Sequence, residues 1–126
     1  MFEVWWEHDG ISYPEQGWVD FGYVILGWWV SNIIRISMGE EQGNFSFMDG
    51  PFSLNFQYQK DNRVFYLTSE DNLVNWSVSL KEVIDALLLF SRSLQVELSN
   101  ANALKKEQVI LQKYVSVLMD ALKQHF

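Results

Sequence analysis

The strongest constraint on the fold is a two-residue alternation in the middle of the chain. In FSFMDGPFSLNF, at Phe45–Phe56, aromatic or leucine side chains occupy every second position on each side of Asp49-Gly50. A period of two places such side chains on one face of a β-strand, and Asp-Gly between alternating strands is a strong hairpin signal. The pattern predicts strands at Phe45–Met48 and Phe52–Gln57, each with one aromatic face.

Two residues decide how the turn between these strands is interpreted. Pro51 has no N–H with which to close a two-residue turn, so we expect a loop longer by a residue or two, with Pro51 at the start of the second strand. Asp49 could be a carboxylate used in chemistry or a residue required by the turn. Because aspartate bonds nearby backbone and tolerates turn geometry, we interpret Asp49 as a turn residue.

The alternation continues in two further segments. RVFYLT at Arg63–Thr68 and LVNWSV at Leu73–Val78 are rich in β-branched and aromatic residues, which are typical of strands. Asp61-Asn62 and Ser69–Asn72 are typical of turns. Four consecutive strands joined by turns predict an antiparallel β-meander.

Helical spacing of apolar residues replaces the alternation after the last strand. Ser79 and Glu82 match the Ser-x-x-Glu capping box, in which both side chains bond free amides at a helix start. A break is predicted at Asn100-Ala101-Asn102 and a final helix at about Ala103–Gln124. So short a break predicts an antiparallel helical hairpin packed on the sheet.

The first third of the chain is less regular. Phe2–Glu7 and Ile11–Tyr13 predict short strands around an Asp9-Gly10 turn. Residues 20–37 fit a helix or a strand. Apolar residues recur there at helical spacing and a strand of that length would be exceptional, although Gly27 costs a helix about 1 kcal/mol relative to alanine.

We therefore predict a helix at 20–37, with Asp20 as its N-cap and Gly39 just past its end. The chain is then a single α+β domain, residues 1–126. It consists of an antiparallel β-meander with one helix inserted near the N-terminus and a C-terminal α-helical hairpin packed on the sheet.

The negative charge is concentrated in the first half of the chain. The net charge is −7, and residues 60–126 contain as many acidic as basic residues. Such a field repels nucleic acid and anionic lipid and favours a cationic partner, so we expect no direct binding of nucleic acid or membrane. Residues 1–59 contain one base, Arg35, and eight acids: Glu3, Glu7, Asp9, Glu15, Asp20, Glu40, Glu41 and Asp49.

Residues suited to catalysis or metal binding are scarce. The chain has no cysteine and two histidines, His8 and His125, and it lacks the HExxH zinc motif and the glycine-rich phosphate-binding motifs. On a strand, Glu7 and Asp9 point away from His8, so these three residues do not form a metal site. We predict a binding protein rather than an enzyme, with no catalytic residue, metal site or cofactor.

The location of the protein is predicted from two segments. The N-terminus lacks the basic start and apolar run of a secretion signal. The longest apolar segment, FGYVILGWWVSNIIRI, is interrupted by polar residues and is short of the ~20 apolar residues of a membrane span. We expect a cytoplasmic protein.

Tryptophans cluster in the acidic half, with five of the six within the first 29 residues. Neighbouring rings at Trp5-Trp6 point to opposite faces of a strand. The outward ring is either covered by a second layer or available to a partner, since Trp is a favoured interface anchor.

LGWW at Leu26–Trp29, together with FMDGPF at Phe47–Phe52, resembles small bacterial proteins found beside toxin genes. In size, acidic balance and strands-then-helices layout, the chain is similar to immunity proteins of contact-dependent inhibition and polymorphic toxin systems. The resemblance implies a protein that binds and neutralises a cognate toxin, which would be basic and could be a nuclease. It implies no catalytic residue.

On this interpretation the partner-binding residues are exposed ones in turns, loops or strand ends. They are Glu7, Asp9, Glu15, Glu40 and Glu41 for charge and Trp18 as a hydrophobic anchor.

Two alternatives to an immunity protein stay open. The chain could be a small-ligand-binding or enzymatic domain with an aromatic-lined pocket between the sheet and the Trp-rich segment. It could instead be an oligomer-forming subunit, and whether it is a monomer or a homodimer is undecided.

Overall fold

The computed structural model describes residues 1–100 and 105–125. The strands are β1 (Phe2–Glu3), β2 (Trp6–His8), β3 (Ile11–Tyr13), β4 (Val19–Asp20), β5 (Gln42–Ser46), β6 (Ser53–Gln59), β7 (Val64–Ser69) and β8 (Asn75–Ser79). The helices are α1 (Gly22–Ser37), α2 (Leu80–Asn100) and α3 (Lys105–His125). Ala101, Asn102 and Ala103, where a break and a helix start are predicted, lie outside the described residues.

The predicted α+β class is confirmed. Strands β5 to β8 form one antiparallel sheet in sequence order, and the helical hairpin of α2 and α3 follows the sheet and packs on it. The predicted capping box is also confirmed, because the Glu82 N–H donates to Ser79 Oγ at 3.1 Å and the Ser79 N–H donates to Glu82 Oε2 at 3.4 Å.

The two faces of the sheet differ sharply in composition. The inner face is apolar, with Phe45 and Phe65 fully buried among other aromatic and aliphatic side chains. The strand pairing places a separate set of residues on the outer face, nearly all uncharged and polar. They are Gln42, Asn44, Ser46, Ser53, Asn55, Gln57, Gln59, Val64, Tyr66, Thr68, Asn75, Ser77 and Ser79.

Helix α1 packs along β5 and also contacts α2 and α3. Two of its side chains cover outward carbonyls of β5: Asn32 Nδ2 donates to Asn44 O at 2.7 Å, and Trp29 Nε1 donates to Ser46 O at 2.8 Å. These bonds occupy acceptors that an unpaired edge strand would otherwise present to another chain.

Gly27 allows the close approach of α1 and α3. A Cβ built at this position would lie 2.7 Å from the hydroxyl oxygen of Tyr114 on α3. The glycine that lowers the helix propensity of this segment is therefore explained by packing.

The β2–β3 hairpin covers part of the inner face. Its turn residues, Asp9 and Gly10, both have positive φ, 51° and 78°, as in the turns that suit two-residue hairpin loops. The Trp6 ring lies 5.0 Å from Phe45, and the His8 ring lies 5.7 Å from Trp76, measured between ring centroids.

Several local predictions are wrong in detail. The predicted strand Phe2–Glu7 is two strands, because the N–H of Val4 turns to bond Trp18 O at 2.7 Å. Pro51 lies in the β5–β6 loop, two residues before β6 begins. Asp20 is not the N-cap of α1: Phe21 holds that position without a side-chain cap, because the Asp20 carboxylate has other partners.

Candidate functional sites

Asp20, at the end of β4, is fully buried, and its carboxylate accepts four hydrogen bonds. Oδ1 accepts the backbone N–H of Phe21 at 2.7 Å and of Met48 at 3.2 Å. Oδ2 accepts the Trp18 indole N–H at 3.0 Å and the Asp49 backbone N–H at 3.1 Å. This group, the Asp20 cluster, joins the start of α1 to the β5–β6 loop.

The Asp20 cluster also gives Asp49 and Trp18 structural roles at the β5–β6 loop. Asp49 lies in the exposed loop, and it contributes its backbone N–H to the cluster. The Trp18 ring is half-buried and packs on Phe52 with ring centroids 5.0 Å apart. Trp18 therefore holds the loop in place, and a role as a partner anchor would use only the exposed part of its ring.

Four exposed acidic residues lie around this loop at one end of the main sheet. Glu15 and Trp18 lie in the β3–β4 loop, where the backbone N–H of Trp18 donates to Glu15 O at 3.2 Å. The Tyr13 hydroxyl accepts the N–H of Ser53 at 3.1 Å, at the start of β6. We call this region the acidic end; its acidic residues are Glu15, Asp49, Glu70 and Asp71.

Two pKa shifts reflect the electrostatics of the acidic end. Burial raises the pKa of the Tyr13 hydroxyl, the hydrogen bond with Ser53 lowers it, and the charges of Asp71 and Glu70 raise it further. Hydrogen bonds from the Ser69 hydroxyl and the Leu73 N–H lower the pKa of Asp71, which keeps this carboxyl ionised. The carboxylates therefore create a negative field near the Tyr13 ring.

The structure does not bring the six predicted partner-binding residues together on one face. Glu15 and Trp18 lie at the acidic end. Glu40 and Glu41 lie at the opposite end of the sheet, where Glu41 O accepts the Tyr58 N–H. There Arg35 Nε lies 3.9 Å from Glu40 Oε2, so the negative charge at this opposite end is partly compensated.

Glu7 and Asp9 form a third group, on the β2–β3 hairpin. Glu7 Oε1 accepts the Ser12 hydroxyl at 3.0 Å. Asp9 Oδ2 lies 3.4 Å from His8 Nε2. Both acidic side chains are exposed, and Glu7 belongs to the wall of a cleft.

The cleft lies between the β2–β3 hairpin, the inner face of the sheet and the first turns of α2. It has a volume of about 260 Å³. Its position matches the pocket that the ligand-binding alternative expects between the sheet and the Trp-rich segment. Its walls are formed by Trp6, Glu7, His8, Leu67, Trp76, Val78, Glu82, Val83 and Ala86.

Two buried indole N–H groups in the cleft walls have no acceptor in the described part of the chain. They belong to Trp6 and Trp76, and Trp76 is only 5% exposed. A buried donor left unpaired costs about 1–3 kcal/mol, and nearly all buried polar groups in folded proteins are paired. Sequence reasoning missed this feature because a tryptophan on the inner face of a strand predicts burial, not the partner of its N–H.

The adjacent tryptophan pairs show both outcomes that the sequence allows, a ring buried in the core and a ring exposed on the surface. Trp29 is 2% exposed and lies in the core, whereas its neighbour Trp28 is 45% exposed on α1. Trp6 packs on Trp29 at 5.1 Å between ring centroids. In each adjacent pair one ring therefore belongs to the aromatic core, while Trp28 remains available on the surface.

The described residues contain neither a metal-binding group nor a helix that could span a membrane. No group of three or more His, Asp or Glu side chains within residues 1–100 and 105–125 is placed to hold a metal ion. None of the helices, over the same residues, is long and apolar enough to cross a membrane.

Comparisons with known protein families, with curated proteins and with solved structures gave no match to this chain.

Proposed function

We propose that this protein is a cytoplasmic immunity protein that binds and neutralises a basic toxin domain through its acidic end. The supporting observation is the grouping of four exposed carboxylates around Trp18 and the β5–β6 loop. The Asp20 cluster fixes the β5–β6 loop that contains Asp49. Hydrogen bonds from Ser69 and Leu73 fix the Asp71 carboxylate. These two charges are therefore presented without ordering a flexible segment on binding.

The negative potential of the acidic end would attract a basic toxin during its approach. Electrostatic steering raises association rates by about 10- to 1,000-fold, and the gain falls as salt screens the charges. The aromatic side chains beside the carboxylates would then contribute apolar contact at the centre of the interface. Binding alone suffices for this function, because covering or blocking a toxin requires no chemistry from the inhibitor.

The first experiment is a pull-down with tagged protein from its native host, washed at low and at high salt. A stoichiometric basic protein that dissociates at high salt supports the proposal. Recovery of an acidic or neutral partner whose retention is independent of salt contradicts binding through the acidic end.

A matched pair of charge reversals tests which end of the sheet binds. Glu15→Lys with Glu70→Lys alters the acidic end, and Glu40→Lys with Glu41→Lys makes the same charge change at the opposite end. We expect the first double variant to slow association with the captured partner by about 10-fold or more at low salt, and the second to slow it less. Equal rates for both variants at every salt concentration would refute the assignment.

A further inference from the structure

We propose that the free edge of β8 pairs with β8 of a second copy of this chain, which gives an antiparallel twofold dimer with one continuous sheet. The proposal does not depend on the immunity function, since it concerns a different partner. It is carried by the direction of the backbone groups of β8, by the contrast with the covered edge at β5 and by the charges at the two ends of β8.

The pairing of β7 with β8 decides where the backbone groups of β8 point. The N–H of Ser69 donates to Val74 O at 3.2 Å, and the register continues this pair into β8. Bonded and unbonded pairs alternate along an antiparallel ladder. Asn75 and Ser77 are in unbonded pairs, so each directs its N–H and C=O away from β7, towards the free edge of the sheet.

The chain covers one edge of the sheet and leaves the other open. At β5, Asn32 and Trp29 donate to two outward carbonyls. Within the part of the chain that the structure describes, no hydrogen bond reaches the outward backbone groups of Asn75 or Ser77. Ser77 is exposed, whereas Ser46 on the covered edge is half-buried.

Strand β8 also lacks the usual protection of an open edge. It contains no lysine or proline, and it pairs with β7 without a bulge. Charged residues, prolines and bulges are the devices that keep edge strands from pairing with another chain. The edge of β8 is therefore a template for a further strand.

One register satisfies all the free groups at once. With a twofold axis at Trp76, Asn75 lies opposite Ser77 of the second copy, and each such pair exchanges two backbone hydrogen bonds. A shift towards Ser79 is unfavourable, because the Ser79 N–H already donates to Glu82 Oε2. The resulting interface is self-complementary, as in the commonest kind of dimer.

The charges at the two ends of β8 favour antiparallel pairing of two copies. Glu70 and Asp71 form a wholly acidic turn before the strand. At the other end the cations Arg63 and Lys81 accompany the acids, and Lys81 Nζ lies 2.8 Å from Asp85 Oδ2. Antiparallel pairing places each acidic turn beside these cations of the other copy, whereas parallel pairing would place the two acidic turns side by side.

The contact is small, so the dimer should be weak. Leu73, which is 75% exposed directly before β8, adds apolar contact to the backbone pairing. Interfaces of this size are typical of transient association. We expect a dissociation constant on the order of 0.1–1 mM.

Sedimentation velocity and ¹⁵N amide spectra, recorded from about 0.01 to 1 mM protein, test the pairing. The mass should rise from monomer towards dimer. The amide signals of Asn75 and Ser77 should shift with concentration and exchange their protons more slowly, while those of Asn44 and Ser46 on the covered edge stay unchanged. A monomer mass over the whole range would overturn the proposal.

Two charge variants test the register. Asn75→Lys with Ser77→Lys places cations opposite each other across the pair, and Asn75→Glu with Ser77→Glu places anions there. Each double variant should self-associate at least about 10-fold more weakly than the parent protein. An equimolar mixture of the two should recover association, because opposite charges then face each other.

A third double variant is the matched control. Asn55→Lys with Gln57→Lys makes the same charge change on the outer face of β6, away from the edge, and should associate like the parent protein. Unshifted Trp18 and Trp29 indole signals confirm that each variant is folded. Equal association of the control and the edge variants, or a mixture that associates no better than its components, would overturn the proposal.

Discussion

The Asp20 cluster and the cleft both bury polar groups beside tryptophans, but the chain satisfies them to different degrees. At Asp20, three backbone N–H groups and one indole N–H meet the two oxygens of a single carboxylate. In the cleft, the indole N–H groups of Trp6 and Trp76 meet no acceptor in the described chain. The first arrangement is fully hydrogen-bonded, and the second leaves two donors unpaired.

The difference shows which tryptophan N–H groups stabilise the fold through a hydrogen bond and which do not. A fully bonded buried polar group stabilises one conformation, because any rearrangement exposes unpaired donors. A buried donor left unpaired lowers stability by about 1–3 kcal/mol. The three predictions below test this distinction, in order of expected effect.

Substituting Asp20 should have the largest effect. Asp20→Ala leaves four donors without their acceptor, and we expect a loss of about 3–5 kcal/mol in the free energy of unfolding, measured by urea denaturation. Asp20→Asn retains one acceptor oxygen and should lose less. Asp49→Ala is the matched control, because Asp49 uses its backbone N–H and should change stability little. A similar loss in the Asp20→Ala and Asp49→Ala variants would show that the cluster does not stabilise the loop.

Tryptophan-to-phenylalanine substitutions should separate the two classes of indole. Trp29 and Trp76 are both nearly fully buried, so each variant removes a similar ring volume. Trp29→Phe also leaves Ser46 O without its donor, whereas Trp76→Phe removes an N–H that has no acceptor. We expect Trp29→Phe to lose about 1–2 kcal/mol more unfolding free energy than Trp76→Phe. Equal losses would mean that the Trp76 N–H is paired in solution.

Acid titration of stability should reveal a third, smaller effect, at the exposed carboxyl of Asp71. Its pKa is lowered from the ordinary 3.8 by hydrogen bonds from Ser69 and Leu73. The contribution of the ionised Asp71 carboxylate to the free energy of unfolding is therefore present above the unfolded-state pKa. It is lost as the pH falls through the lower folded-state pKa. Below about pH 4, the Asp71→Asn variant should lose unfolding free energy less steeply than the parent protein as the pH falls. Urea unfolding at each pH measures this. An equally steep loss of stability at low pH in the variant and the parent protein would contradict this assignment.

The parts of the fold that were predicted correctly depend on short-range patterns. The alternation around Phe45 and Phe56 predicts strands because neighbouring side chains must point to opposite faces. Ser79 and Glu82 predict a helix start because both bonds are made within four residues. Such patterns contain their physical cause within a few residues.

Contacts between distant segments explain the wrong prediction at Asp20, and they also explain Gly27 in a helix that was predicted correctly. Asp20 has the sequence position of an N-cap, yet its acceptors are used by Met48 and Asp49 as well as by Phe21. Gly27 argues against a helix until Tyr114 is seen to pack on it. Local propensity is a weak guide where tertiary contacts supply more free energy.

The candidate sites divide along the same line. The excess of acidic residues is visible in the sequence. The strand order decides how these residues divide between the two ends of the sheet, only one of which lies beside Arg35. The unpaired indoles of Trp6 and Trp76 come from a hairpin and an edge strand far apart in the chain. Composition and periodicity alone determined the α+β class, the meander and the negative charge. Tertiary structure decided which carboxylates share a surface and which buried donors lack an acceptor, because both depend on distances between segments that only folding sets.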